Sequence, residues 1–339
     1  MNTHDPPATS EQTHRRLNML DGWRALSILL VLAAHMLPLG PSRWGINGSA
    51  GAIGMAIFFT LSGFLIVSIL QRDADVGRFL IRRIARIVPL AWTVLVVWLA
   101  WQRVDSSIWA ANLLFYANLP PFWLLPHSGH FWSLGVEMQF YGAIALTILL
   151  AGRRGLWLVP IAAFAVTAAR IFTGTQVSIV TWLRVDEILA GGMLALIVHG
   201  KPTGNLFRRV LERLPFWPLA ILAALSAEPG LAWLNYARRY LVATTVGITV
   251  LRPVTGLSWL LESRPAAYLA RISYAAYIIH PFTMLGWLGS GDSLIKYAKR
   301  PLCFAITLAF AHLSTFHFES RFTAWSHWVR RRQSTSKPA

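Results

Sequence analysis

The chain has 339 residues, of which 55% are hydrophobic and only 13% charged, with a mean hydropathy of +0.50. That leaves too little polar surface to cover a soluble globule, so composition excludes a soluble enzyme and predicts an all-α integral membrane protein. The net charge of +17 invites a nucleic-acid reading, but most Lys and Arg residues sit on alternate connections between apolar runs, the bias that orients membrane spans, so no nucleic-acid partner is implied.

Residues 1–16 are polar and rich in turn formers, too weakly apolar for a secretory signal, and are expected to form a disordered cytoplasmic tail. Apolar runs then predict a polytopic bundle of about ten transmembrane helices, near 20–40, 51–70, 84–102, 131–151, 156–173, 178–199, 215–228, 231–250, 266–288 and 301–319. They form one membrane domain over 17–325, followed by a basic cytoplasmic tail, 326–339. An even count puts both termini in the cytoplasm. It leaves five cations outside, Arg43, Arg103, Lys296, Lys299 and Arg300, while twenty of the 31 face inward. Cys303 is the only cysteine, so an intramolecular disulfide and a cysteine-rich metal site are both excluded, and no metal is expected.

The first span, DGWRALSILLVLAAH, carries Asp21, Arg24 and His35. Arg24 and His35 are 11 residues apart, close to three helical turns, so they share a face about 16 Å apart along the axis. Asp21 lies one turn before Arg24 and can pair with it. A buried ion pair that fixes helix packing explains Asp21 and Arg24 as well as a site does. His35, set among Leu, Val and Ala, is better explained by function, since an imidazole tolerates apolar surroundings and suits a general base.

In FFTLSGFLI, residues 58–66, Gly63 permits close helix approach and Ser62 can hydrogen-bond across it. Next, RFLIRRIARIVPL puts Arg82, Arg83 and Arg86 at the inner mouth of the third span, where guanidinium groups can bind phosphate or simply anchor the helix. The outer segment from Gln102 to His130, broken by Pro120, Pro121 and Pro126, is expected to be an interfacial helix and a loop folding back on the bundle. HFWSLGVEMQFY places Glu137 about two turns inside the fourth span, where a carboxylate needs a cation or a proton. TWLRVDEILAGG sets Arg184 and Glu187 at i and i+3, able to pair as a structural ion pair; ISYAAYIIHP holds His280, and HFESRF holds Glu319.

In this order the stretches resemble the membrane-bound acyltransferase 3 family, whose members move acyl groups, usually acetyl, onto surface polysaccharides, other glycans and some macrolides. The resemblance covers roughly residues 17–325 and rests on LDGWRALSILLVLAAH, FFTLSGFLI, RRIAR, FWSLGVEMQFY, RVDEILAGG and ISYAAYIIH. It implies that His35 is the essential histidine and Arg24 its partner, that Arg83 and Arg86 engage an acyl-CoA donor, and that Glu137 is the glutamate of the tryptophan, serine, leucine motif. Departures occur at Ala56 and Met138, where the family often has acids, and at the ESR of Glu319–Arg321, where a proline commonly follows the glutamate. The function implied is transfer of an acyl group from cytoplasmic acetyl-CoA or another acyl-CoA to a hydroxyl of a carbohydrate or lipid-linked glycan, in a bacterial inner membrane. His35, Arg24, Glu137 and Asp21 are the catalytic candidates and Arg82, Arg83 and Arg86 the donor-binding ones. The competing reading is a proton-coupled transporter with Asp21, His35, Glu137 and Glu187 as a relay. The arginine cluster and the lack of an inverted repeat weigh against it.

Overall fold

The computed structural model describes residues 10–200 and 206–326, with side chains described from Leu17 onward. All regular elements among these residues are helical. In chain order they are α1 Ser10–Met36, α2 Ile46–Arg72, α3 Val76–Gln102, α4 Ser106–Leu113, α5 Trp132–Ala151, α6 Leu158–Phe172, α7 Thr181–Arg184 and α8 Asp186–His199. Then follow α9 Leu206–Arg213, α10 Phe216–Leu225, α11 Ala232–Asn235, α12 Arg238–Leu251, α13 Ser258–Leu261, α14 Arg264–Ile279, α15 Ser293–Ala298 and α16 Arg300–Leu313, which runs into a π-helical turn, Ser314–Glu319.

Helix α1 begins at Ser10, so residues 10–16, expected to be disordered, are helical; the run SEQTHRR follows the last N-terminal proline and contains no breaker. The rest of that tail, and all of the basic tail beyond Ser326, lie outside the described residues.

Among the described residues, five helices are long and apolar enough to cross a membrane: Leu17–Met36, Ile46–Arg72, Val76–Gln102, Gly129–Phe172 and Ser293–Ser326. The sequence led us to expect ten. Two of those ten, at 131–151 and 156–173, lie on the single 44-residue run Gly129–Phe172, which bends through a 3-10 stretch at Gly152–Trp157 where Gly152 has a φ of 59°. Others coincide with shorter helices: α8 and α12 have 14 residues each, α14 has 16 and α10 has 10. A 14-residue helix rises only about 21 Å, less than the roughly 30 Å of a hydrocarbon core. The shortening comes from breaks inside the apolar runs, at Val185 between α7 and α8 and at Tyr236–Ala237 between α11 and α12.

The described residues form two compact units. Within the described residues, the first draws on 10–68, 158–176, 186–200 and 206–273, the second on 69–157, 177–185 and 274–326. In the first, α8 packs on α6 and α12, α10 covers α12, and α1 runs against α12 and α13. Helix α2 meets α8 backbone to backbone: a Cβ on Gly63 would overlap the Ile188 carbonyl, and one on Gly191 would overlap that of Thr60. The expected close approach at Gly63 is therefore present, and it is reciprocal.

The core of this unit also holds charge. Arg170, Arg239 and Asp186 are wholly buried and form one cluster, with Arg170 Nη1 at 3.2 Å from Asp186 Oδ2 and Arg239 bridging to the same carboxylate. Arg238 Nε lies 3.4 Å from Glu187 Oε1. Such clusters survive burial because each cation meets an anion and backbone carbonyls; Arg170 also donates to the carbonyls of Thr175 and Gln176. In the second unit α3 packs against α4, α5 and the π-helical turn, while α5 also contacts α7.

Candidate functional site

In the first unit, α1 carries Asp21, Arg24 and His35. At 100° per residue these three fall within about 60° of one another, while Trp23, Ser27 and Ala34 lie roughly 100° further round. That second face is pinned. Trp23 Nε1 donates to Thr249 Oγ1 at 2.8 Å, and Ser27 Oγ donates to the Gly54 carbonyl at 2.8 Å. Asn47, at the start of α2, donates through Nδ2 to the carbonyls of Ala34 and Leu37, both at 2.7 Å, and accepts from Leu39 N at 3.3 Å. One amide thus satisfies two carbonyls at the C-terminal end of α1 and fixes the turn that bears His35.

The face with the ionisable residues is left accessible. Arg24 Nη1 pairs with Asp21 Oδ1 at 3.2 Å, as the spacing predicts, and the side chains are 23% and 40% exposed. His35 is exposed rather than enclosed among its Leu, Val and Ala neighbours, because it stands in the last turn of α1 where the helix packs through Ala34 on the other side. An accessible imidazole on a rigid helix end is a group that a substrate can reach.

In the second unit the arginines stand on α3. Asp75 caps this helix by accepting from Arg78 N at 2.9 Å, and Arg78 itself pairs with Asp73 at 2.5 Å and Asp75 at 3.3 Å. The Asp75 backbone N–H, helped by the Arg78 guanidinium, holds the Asp73 carboxyl below the usual carboxylate range. The nearby acids are therefore committed to Arg78. Arg82 and Arg83 are half-buried and Arg86 is exposed, and among the described residues no carboxylate pairs with any of the three.

Glu137, on α5, is 6% exposed and accepts from the Tyr141 hydroxyl at 2.5 Å. The Tyr141 ring in turn lies 6.0 Å from the Arg83 guanidinium. The structure thus links two of the sequence-predicted residues, Glu137 and Arg83, through a third that the sequence reading did not single out. The signal was available: Tyr141 is four residues after Glu137, one turn along the same face. Within each unit, then, the structure joins Asp21 to Arg24, with His35 further along the same face, and Glu137 to the arginine cluster.

The family model described as "Acyltransferase domain" matches residues 17–328. The chain belongs to the acyltransferase 3 family. Among its curated relatives are the "Putative peptidoglycan O-acetyltransferase YrhL" of Bacillus subtilis (strain 168), 26% identical over 79% of this chain and 49% of that protein, and the "Peptidoglycan O-acetyltransferase OatA" of Listeria monocytogenes serovar 1/2a, 22% identical over 80% and 50%. This acyltransferase 3 chain spans about half the length of these relatives. No solved structure matches it significantly.

Two other motif segments of this acyltransferase 3 chain take on partners that the sequence did not disclose. Ser133 Oγ lies 2.6 Å from the Tyr277 hydroxyl, which donates to the His130 carbonyl at 2.8 Å; His130 Nε2 is 3.1 Å from the Ile278 carbonyl, and its ring packs edge-on to Tyr277 and His280. His280 is fully buried, with Nδ1 at 2.7 Å from the Tyr277 carbonyl. The turn at Val185 separates α7 from α8. Glu187 bonds to Arg238, while Arg184 lies 5.3 Å from the Trp132 ring.

Proposed function

We propose that the chain transfers an acyl group, most simply acetyl, from cytoplasmic acyl-CoA to a hydroxyl of a carbohydrate acceptor at or across a bacterial inner membrane. The observation that carries the donor half of this reading is the set of three guanidinium groups on α3, half-buried or exposed and with no carboxylate at ion-pair distance among the described residues. Such groups match the phosphates of CoA in charge and in bidentate geometry. Peptidoglycan, named for two of the relatives, supports a glycan as acceptor. Both termini are cytoplasmic in this reading: the bent run Gly129–Phe172 crosses twice, through α5 and α6, the other four long helices cross once each, and α8, α10, α12 and α14 supply the remaining four of ten crossings.

Acyl transfer to oxygen needs a base, because the acceptor hydroxyl holds its proton far above neutral pH. In this mechanism His35 takes that proton as the oxygen attacks the thioester carbonyl. The tetrahedral intermediate carries its negative charge on the former carbonyl oxygen, and it collapses by expelling CoA as a thiolate that is then protonated. Arg24, held by Asp21, steadies developing negative charge, and Glu137 with Tyr141 orients the donor-binding face through Arg83. A covalent acyl-histidine followed by transfer uses the same residues.

The test is acetyl-CoA binding by the purified full chain. Replacing both Arg83 and Arg86 by Ala removes charge-assisted contacts, each contributing about 1.5–3 kcal/mol, so the affinity falls by at least about a hundredfold. Unchanged acetyl-CoA affinity would remove the donor dock from the mechanism.

A further inference from the structure

The second unit contains a buried cation that the acyl-transfer reading does not use. Arg300 opens α16 and is 4% exposed, yet its Nε and Nη1 meet no hydrogen-bond acceptor among the described residues. Its recorded contact is with the Tyr297 ring, 5.8 Å from the guanidinium carbon. The buried arginines of the first unit differ: Arg170, Arg238 and Arg239 each meet a carboxylate. A guanidinium stays charged at any physiological pH, so it cannot escape burial by losing its proton. Its surroundings add to the cost. The N-terminal end of a 14-residue helix is the positive end of its dipole, and Lys299 is the next residue back. Lys299 is itself committed, donating to the carbonyls of Trp287 at 2.8 Å and Ser290 at 3.1 Å with its ammonium 4.3 Å from the Trp287 ring centre.

We infer that Arg300 is the receptor for a phosphate headgroup carried on a lipid. A second positive element beside an uncompensated guanidinium is arranged for an anion, and phosphate fits the planar fork of Arg. The flanking surface favours a phosphate attached to hydrocarbon over a free ion: Leu294, 81% exposed, and Leu302, 47%, lie within six residues of Arg300, and Trp287, 67% exposed, packs on the neighbouring Lys299. Tyr297, half-exposed, covers the guanidinium, and rotation of its ring opens the way to the surface. Two sources share this chemistry, a bilayer phospholipid and an isoprenoid phosphate of the type that carries growing glycans.

Thermal unfolding of the purified full chain tests the assignment. Wild type and Arg300→Met, which keeps the aliphatic stem, are compared in lipid-free detergent and after adding phosphatidylglycerol, a long-chain isoprenyl monophosphate, or diacylglycerol as the phosphate-free control. Without phosphate lipid, Arg300→Met melts at or above the wild-type temperature, because no protein group is lost as partner to the charge. With phosphate lipid, the wild type rises by at least about 3 °C while Arg300→Met does not move, and diacylglycerol shifts neither. A larger rise with the isoprenyl phosphate identifies a glycan carrier; equal rises identify a bilayer lipid. The proposal is overturned if Arg300→Met is unfolded or lower-melting without lipid, if both proteins shift alike, or if neither shifts.

Discussion

The Tyr141 hydroxyl is the pivot of the charged face in the second unit, since it donates to buried Glu137 at 2.5 Å while its ring lies beside Arg83. Tyr141→Phe keeps the ring and deletes only that donor. A hydrogen bond to a charged group contributes about 1.5–3 kcal/mol, and a carboxylate 6% exposed has little water to replace it. The variant is expected to lose about that much stability in denaturant unfolding, with weaker acetyl-CoA binding; unchanged values for both would show that the contact does not orient the arginine face. At this scale residue identity was legible from sequence and residue environment less so. Glu137 announced that it needed a partner, and Tyr141 one turn along α5 could supply it, but Arg83 on a separate helix could not be matched to the pair without coordinates. His35 showed the converse: its apolar neighbours pointed to burial, whereas its place in the last turn of α1 leaves it exposed.

Among the elements, α1 matters because its site face is defined by what holds the face beside it. Trp23, Ser27 and the Asn47 amide fix its rotation, so Arg24 and His35 are presented by a helix that cannot easily turn. The crossing of α2 and α8 supports the same unit. A side chain at Gly63 would run into the Ile188 carbonyl, and backbone on both sides leaves no flexible atom to yield. Gly63→Val is therefore expected to cost at least about 1–3 kcal/mol, read as a lower melting temperature, whereas full retention of stability would show that α2 can shift away from α8. The small residues of FFTLSGF and ILAGG made this packing legible. The breaks at Val185 and Tyr236 were not, because nothing in those apolar runs marks a turn: neither Gly nor Pro stands there, and tertiary contacts decide.

Across the whole molecule, the distribution of charge carries more information than its sum. The basic connections and the few outer cations predict that residues 73–75 face the cytoplasm and Ser290 faces outward. A cysteine introduced at Ser290 in a Cys303→Ala background should react with a membrane-impermeant thiol reagent applied to intact cells, while one at Asp73 should react only after the cells are opened. The opposite pattern would invert the proposed orientation. The helical class was legible because hydrophobicity is a bulk property that survives any detail of packing. Helix lengths were not, since apolar length in sequence does not fix helix length once a run is broken. Nor was the assembly of each unit from separate chain segments, which depends on contacts far apart in sequence.

The central claim is that His35 carries the proton transfer. It is tested most directly by acyl transfer from labelled acetyl-CoA to a glycan acceptor with purified His35→Ala protein. General-base catalysis contributes about 10²–10⁴-fold, so turnover should fall by at least a hundredfold while acetyl-CoA still binds through Arg82, Arg83 and Arg86. Near-normal turnover by His35→Ala would contradict the account.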